Sequence, residues 1–244
     1  MGRFDDKVAL VTGGGTGIGR AVALGIADEG GKVVVIGRRL EPLKQVSQSK
    51  PGSICFIQAD VARSEDIKQA VSFTLKQFNA LDILINNAGV THMGPVSALS
   101  DGDINAMLDI NIKGTLVAIR ESLPYLINCG GSIVNVTSVT ARSVSPGMAA
   151  YSGSKSAVEQ ITRSLAAELG STGVRVNAVA PGLTDTDMAD AYVDTTMMKE
   201  VVGRTPLGRV GTPRDVAEAI LFLASHDAAW ITGQLLQSSG GLAL

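Results

Sequence analysis

Val8-Ala9-Leu10-Val11-Thr12-Gly13-Gly14-Gly15-Thr16-Gly17-Ile18-Gly19 decides the fold. A short apolar, β-branched run of strand character ends in a glycine cluster, and a helix-like segment follows directly. Glycines let the chain turn tightly and bring backbone amides close to a pyrophosphate, whose charge then sits at the positive end of the following helix. A glycine cluster by itself is also what a flexible turn looks like. Here it follows a strand and opens a helix at the start of a βαβ unit, which is the context a dinucleotide site needs. Gly13, Gly15, Thr16, Gly17, Ile18 and Gly19 are therefore expected to bind cofactor.

Outward from this stretch, the same alternation continues. Apolar runs at Lys32–Ile36, Ser53–Ile57, Leu81–Ile85, Ser132–Val136, Arg175–Ala180 and Gln234–Leu236 are separated by longer amphipathic segments. Most runs are apolar on both faces, as expected of parallel strands covered by helices on each side. Ser64–Phe78 reads as a helix, with Ile67, Ala70, Val71, Thr74, Leu75 and Phe78 on one face and Ser64 placed to cap it. Thr212-Pro213-Arg214-Asp215 reads as another helix start. The expected fold is α/β: a Rossmann-type doubly wound parallel sheet of about seven strands with helices on both faces. No linker or composition break divides residues 1–244, so one domain is expected. The stretch from about 182 to 206, carrying Met188, Met197 and Met198, has the character of a substrate lid or of a pair of surface helices.

Bulk properties exclude several function classes. The chain has 244 residues, 45% hydrophobic and 18% charged, with a formal net charge of −2 and no long basic run. Neither nucleic acid nor an anionic membrane is expected as a partner. Cys55 and Cys129 match no disulfide framework, and His92 and His226 match no metal-ligand pattern, so no metal is expected. The N-terminus has no basic start or long apolar run, and Asp6 stands where a myristoylation motif needs Ser or Thr. A cytoplasmic location is expected.

Cofactor preference is read where the second strand ends. An NAD site places an acid there for the ribose hydroxyls. This chain has Gly37-Arg38-Arg39, two guanidinium groups suited to a 2′-phosphate, so NADP(H) is expected over NAD(H). Asp60, read as ending the third strand, and its neighbour Val61 are placed for the adenine. Asn86-Asn87-Ala88-Gly89 ends the fourth strand, where small residues admit the adenine ribose.

Tyr151 and Lys155 are four residues apart on an expected helix, so both project from one face. A free phenol titrates near about 10 and exchanges protons poorly at neutral pH. A neighbouring ammonium, like the positive ring of an oxidised nicotinamide, favours the phenolate; a shift of three units needs about 4 kcal/mol. Ser138, read as ending the fifth strand, is placed to hold a substrate oxygen beside this phenol. Asn111, in an amphipathic segment upstream, is placed to hold a water behind Lys155.

In combination these elements resemble the short-chain dehydrogenase/reductase family over nearly the whole chain. Its Thr-Gly-x-x-x-Gly-x-Gly pattern falls on Thr12, Gly13, Gly17 and Gly19, and its Asn-Asn-Ala-Gly element is complete. Its catalytic tetrad falls on Asn111, Ser138, Tyr151 and Lys155, its Pro-Gly element on Pro181 and Gly182, and its nicotinamide and pyrophosphate contacts on Thr184 and Thr186. The resemblance is closest to the 3-oxoacyl-(acyl-carrier-protein) reductase branch. It implies pro-S hydride transfer between NADP(H) and a carbonyl or secondary alcohol. By the same resemblance, Tyr151 is expected to act as acid/base, Lys155 also to bind the nicotinamide ribose, and the assembly to be a homotetramer formed through the helices bearing Asn111 and Tyr151.

Three departures qualify it. Thr16 stands where many NADP-using members carry a base, leaving phosphate binding to Arg38 and Arg39. The two arginines by which carrier-protein reductases dock their carrier, taken to lie beside the active-site mouth, are replaced by Cys129 and Thr172. Arg175 is expected to support the sixth strand, and Arg142 is the remaining basic candidate for docking. Ser238-Ser239-Gly240-Gly241 departs from the family's acid or Asn before two glycines. A small free ketone is the expected substrate. A carrier-bound 3-oxoacyl group is the alternative, and a non-catalytic NADP(H) sensor the remote one.

Overall fold

The computed structural model describes residues 2–190 and 195–243. Strands β1 (Val8–Thr12), β2 (Lys32–Gly37), β3 (Ile54–Gln58), β4 (Ile83–Asn86), β5 (Ser132–Val136), β6 (Arg175–Pro181) and β7 (Leu235–Ser238) form one sheet in the order β3-β2-β1-β4-β5-β6-β7. Every pairing is parallel. The order reverses between β1 and β4, and open α/β sheets take their ligands at the carboxyl ends of the two strands at such a reversal.

Strand composition explains why the sheet is covered twice. Successive residues point to opposite faces. Ala9, Val11, Val33, Val35, Ile83 and Ile85 enter one core, against helix α1 (Gly17–Asp28), α2 (Leu40–Ser49) and α9 (Pro213–Ala224). Leu10, Val34, Ile36, Leu84 and Ile133 enter the other, against α3 (Ser64–Phe78), α5 (Gly114–Cys129) and α6 (Ala149–Leu169). Each fully buried Leu, Ile or Val contributes about 1.5–3 kcal/mol relative to exposure, so neither face tolerates water. The remaining helices are α4 (Asp101–Met107), α7 (Asp187–Asp190) and α8 (Thr195–Gly203). Among the described residues, no helix is long and apolar enough to cross a membrane.

Helix ends bear out one expected cap and correct another. At the start of α9 the Thr212 hydroxyl accepts from the Asp215 amide, and the Asp215 carboxylate accepts from the Thr212 amide at 2.7 Å. Arg209 bonds both Asp215 oxygens, at 2.6 and 2.9 Å, and with the Thr212 bonds holds that carboxyl well below the usual carboxylate range. Ser64, by contrast, does not cap α3. It is the first helical residue, the N-cap is Arg63, and no side-chain bond closes that end. Arg175 reaches past its own strand. Its guanidinium donates to the carbonyls of Leu223, Ala224 and Ser225, satisfying the C-terminal end of α9.

The segment read as a lid holds α7 and α8, and its residues 191–194 lie outside the described residues.

Candidate active site

The glycine turn joins the carboxyl end of β1 to α1. Gly13 has φ 64, a left-handed conformation, and a side chain there would collide with the backbone of Ala88. A Cβ on Gly19 would overlap the Gly13 carbonyl, so the helix can begin this close to the turn only with glycine. Asn87 staples the turn to the end of β4: its Nδ2 donates to the carbonyls of Thr12 and Gly13 at 3.0 and 3.1 Å. The Thr12 hydroxyl accepts from the amides of Asn87 and Ala88, both at 3.0 Å. Thr12 thus shapes the site, a role that its place in the motif did not reveal.

The two arginines differ. Arg39 Nη2 donates to Thr16 Oγ1 at 3.0 Å and pairs with Asp187 Oδ2 at 2.7 Å. Arg38 is exposed, and its carbonyl accepts from Gln58 Nε2 at 2.7 Å. Asp187, missed by sequence reasoning, brings the first turn of α7 over the glycine turn. A Cβ on Gly17 would sit 3.0 Å from Thr186 Cγ2. Thr186 and Thr184 hydroxyls bond backbone within their own loop. Pro181 ends β6, and Gly182 packs so closely on Ser239 that a Cβ would lie 2.9 Å from its Cα. Asp60 lies two residues beyond the end of β3 rather than ending it. Its Oδ1 accepts from the Ala62 amide at 3.0 Å, and Val61 is buried next to it.

The tetrad converges beside the carboxyl end of β4, where Lys155 and Asn111 both approach Gly89. Tyr151 and Lys155 are one turn apart near the start of α6, with the Lys155 ammonium 5.8 Å from the phenol ring centroid. Lys155 Nζ donates to the Val136 carbonyl at 2.9 Å. Ser138 sits two residues beyond β5, not at its end, and caps the 3-10 turn Val139–Ala141. Its Oγ accepts from the Thr140 amide at 3.2 Å and hydroxyl at 2.9 Å. Asn111 lies in a π-helical turn, Leu108–Lys113, between α4 and α5. Its Oδ1 accepts from the Val90 amide, and its Nδ2 donates to the Val90 carbonyl and to Ser154 Oγ, each at 2.9 Å. Gly89 leaves the gap between Lys155 and Asn111 open: a Cβ there would lie 3.2 Å from Lys155 Nζ and 3.3 Å from Asn111 Oδ1. Ser138, Tyr151, Lys155 and Asn111 are 8%, 8%, 5% and 1% exposed.

Burial governs their titration. It pushes the Lys155 ammonium down to about 8. It also pushes the Tyr151 phenol above its ordinary value, and the Ser138 hydroxyl pulls it partly back. The same dry pocket disfavours both charged forms.

The docking positions also differ from expectation. Cys129 ends α5 and Thr172 follows the end of α6, whose 21 residues span about 30 Å from the Tyr151 end. They lie at the edge of the molecule away from the Tyr151 mouth of their own chain. Burial raises the Cys129 thiol, so no thiolate charge is favoured there. Arg142, the other candidate, is paired with buried Glu159 at 2.9 Å. Among the described residues, no group of His, Cys, Asp and Glu could hold a metal ion.

Residues 13–243 match the model of a family described as enoyl-(acyl carrier protein) reductase. The 3-oxoacyl-[acyl-carrier-protein] reductase FabG of Thermotoga maritima is 35% identical over 246 residues, covering 99% of this chain and 100% of the relative. A solved short-chain dehydrogenase/reductase from Brucella melitensis, described as glucose/ribitol dehydrogenase, superposes with a TM-score of 0.95 at 32% identity, covering 100% of this chain and 99% of that one. A 3-ketoacyl-(acyl-carrier-protein) reductase of the same organism, complexed with NADH, superposes with a TM-score of 0.93 at 30% identity, covering 98% and 99%.

Proposed function

This chain belongs to the short-chain dehydrogenase/reductase family of nicotinamide-dependent oxidoreductases, and from that premise we propose that it reduces a ketone to a secondary alcohol with NADPH. The observation that carries the reading is the convergence of Tyr151, Ser138 and Lys155, all more than nine-tenths buried, beside a glycine turn that side chains would fill. That cradle fits a dinucleotide. The backbone of Gly13–Gly19 would take the pyrophosphate, with Thr186 opposite it, while Arg39 and the exposed Arg38 would take the 2′-phosphate. Asp60 and Val61 would flank the adenine, and Asn87, Ala88 and Gly89 would line the ribose path. Pro181, Gly182 and Thr184 would sit at the nicotinamide end.

When bound, the reduced nicotinamide supplies the hydride. The chain's own residues manage the oxygen. Ser138, held by its 3-10 turn, orients the substrate carbonyl and donates a hydrogen bond as negative charge develops. Tyr151 gives its proton to that oxygen as the hydride arrives at the carbonyl carbon. Lys155 holds the ribose and supplies positive charge beside the phenol, and Asn111 lines the route by which the proton is replaced. The described residues of the 182–206 segment, α7 and α8 among them, would serve as the lid of the site. A homotetramer fits the exposed Leu116, Tyr125 and Ile127 on α5, and two free cysteines fit a cytoplasmic location.

A small free ketone or short thioester is the preferred substrate. A carrier-bound 3-oxoacyl group is the second reading, favoured by the activity named for the Thermotoga and Brucella relatives. An acidic carrier would be steered by basic residues, and association would be salt-sensitive. Cys129 and Thr172 offer no such charge, and Arg142 is already paired. Comparison of kcat/KM from NADPH consumption on matched ketone, short thioester and carrier-bound substrates is expected to show little carrier advantage at low or moderate salt. A large carrier preference that collapses with salt would establish the second reading instead.

A further inference from the structure

Glu159 lies one turn beyond Lys155 and two beyond Tyr151, so the three side chains share one face of α6. It is 4% exposed. An ionised carboxylate so removed from water is expensive unless both oxygens are satisfied. Here only one is: Oε2 accepts from Arg142 Nε at 2.9 Å, while Oε1 is buried without a hydrogen-bond partner. Arg142 itself is 41% exposed, and a pair half open to water is a poor source of stability, while the buried carboxylate keeps its desolvation cost. What the pair does have is location. Arg142 is the residue that closes the 3-10 turn begun by Ser138, and the turn's Thr140 sets the direction of the Ser138 hydroxyl. α6 is also tied to this turn by Ser156 Oγ, which bonds the Ala141 carbonyl at 2.8 Å and the Ser152 carbonyl at 2.9 Å, and by the Tyr151 phenol, which meets the Ser138 hydroxyl. Beyond Arg142 the Ser143 amide bonds the Val139 carbonyl at 3.2 Å, Val144 is 95% exposed, and the Gly147 carbonyl accepts from the Gly94 amide at 2.8 Å.

We propose that the Arg142–Glu159 ion pair is a positioning device that fixes the Ser138 turn against the helix carrying Tyr151 and Lys155, so that serine hydroxyl and phenol meet one carbonyl oxygen. The inference rests on the ketone-reductase reading above. It makes Arg142 and Glu159 positioning residues, since neither needs to touch substrate, and it removes Arg142 from the residues available for docking a carrier.

The test replaces both partners with methionine, Arg142→Met with Glu159→Met, which fills the space without the tie. Thermal stability is expected to stay level or rise, and NADPH affinity by cofactor fluorescence to stay within about twofold, because the glycine turn is untouched. Turnover is expected to fall about 10-fold, since small misplacements of reacting groups are costly. Glu159→Gln keeps the side chain's shape and one acceptor for Arg142; it is expected to fold even if the double variant does not, and to lose about threefold in kcat. Loss of kcat with unchanged stability and cofactor affinity supports positioning. Unchanged kcat in whichever variants fold, or a kcat loss matched by falling stability and cofactor affinity, overturns it and leaves the ketone-reductase reading standing. A wild-type chain that turns over no ketone or thioester overturns that reading and this inference together.

Discussion

Tyr151→Phe is expected to lower turnover at least about 100-fold, the usual scale for removal of a general acid, while NADPH affinity stays nearly intact. The substitution deletes one oxygen and keeps the ring, so the packing of a side chain that is 8% exposed is preserved. Ser138 remains to orient the carbonyl, but the developing alkoxide then has no proton donor in reach. Burial strengthens the expectation, because it removes bulk water as a substitute donor. Steady-state kinetics on a good substrate, with cofactor affinity measured separately by fluorescence, checks it. More than a tenth of wild-type turnover would mean that Tyr151 is not the acid.

The second large effect is expected at the cofactor's other end. Arg38→Ala with Arg39→Ala should raise the NADPH dissociation constant about 10–100-fold, since each charge-assisted bond contributes about 1.5–3 kcal/mol, and should barely change that for NADH. Arg39 should carry the larger share, because its guanidinium already faces the glycine turn through Thr16. Its present partner Asp187 is exposed, and an exposed pair of this kind is worth at most about 1 kcal/mol, so a 2′-phosphate can displace it. Fluorescence titration with both cofactors decides the matter. Equal losses for NADPH and NADH would mean that neither arginine reads the 2′-phosphate, an outcome the NADH-bound Brucella relative makes necessary to test.

The sheet was legible because its signal is local and repeated. Strands covered on both faces read as continuous apolar runs, and the runs at Ser132–Val136 and at Arg175 begin where β5 and β6 begin. The last strand is weaker: Leu235–Ser238 was read as Gln234–Leu236, because an edge strand buries less and carries a blurred pattern. Ser64 looked like a cap by residue type alone, but capping depends on backbone geometry one residue earlier, at Arg63. Asp60 and Ser138 both lie two residues past their strands, since turn hydrogen bonds rather than apolarity place them.

The tetrad was legible from spacing, but its environment was not. The π-helical turn at Asn111 follows from side-chain bonds to Val90, 21 residues away in sequence, which no periodicity reveals. The Arg39–Asp187 contact spans 148 residues. Spacing also said nothing of desolvation, which raises the phenol. Arg142 looked available because sequence carries no sign of which buried carboxylate a loop arginine will meet. Cys129 and Thr172 align with docking positions, yet the length of α6 puts them away from their own chain's mouth.

The most direct measurement follows the transferred hydrogen. Wild-type enzyme is given a ketone that it reduces and NADPH carrying deuterium at the pro-S position of the nicotinamide C4, and the alcohol is analysed by mass spectrometry. The account predicts one deuterium per product molecule, bound at the carbinol carbon, and none when the label is in the pro-R position. Alcohol formed without deuterium from the pro-S label, or labelled from the pro-R position instead, would contradict it.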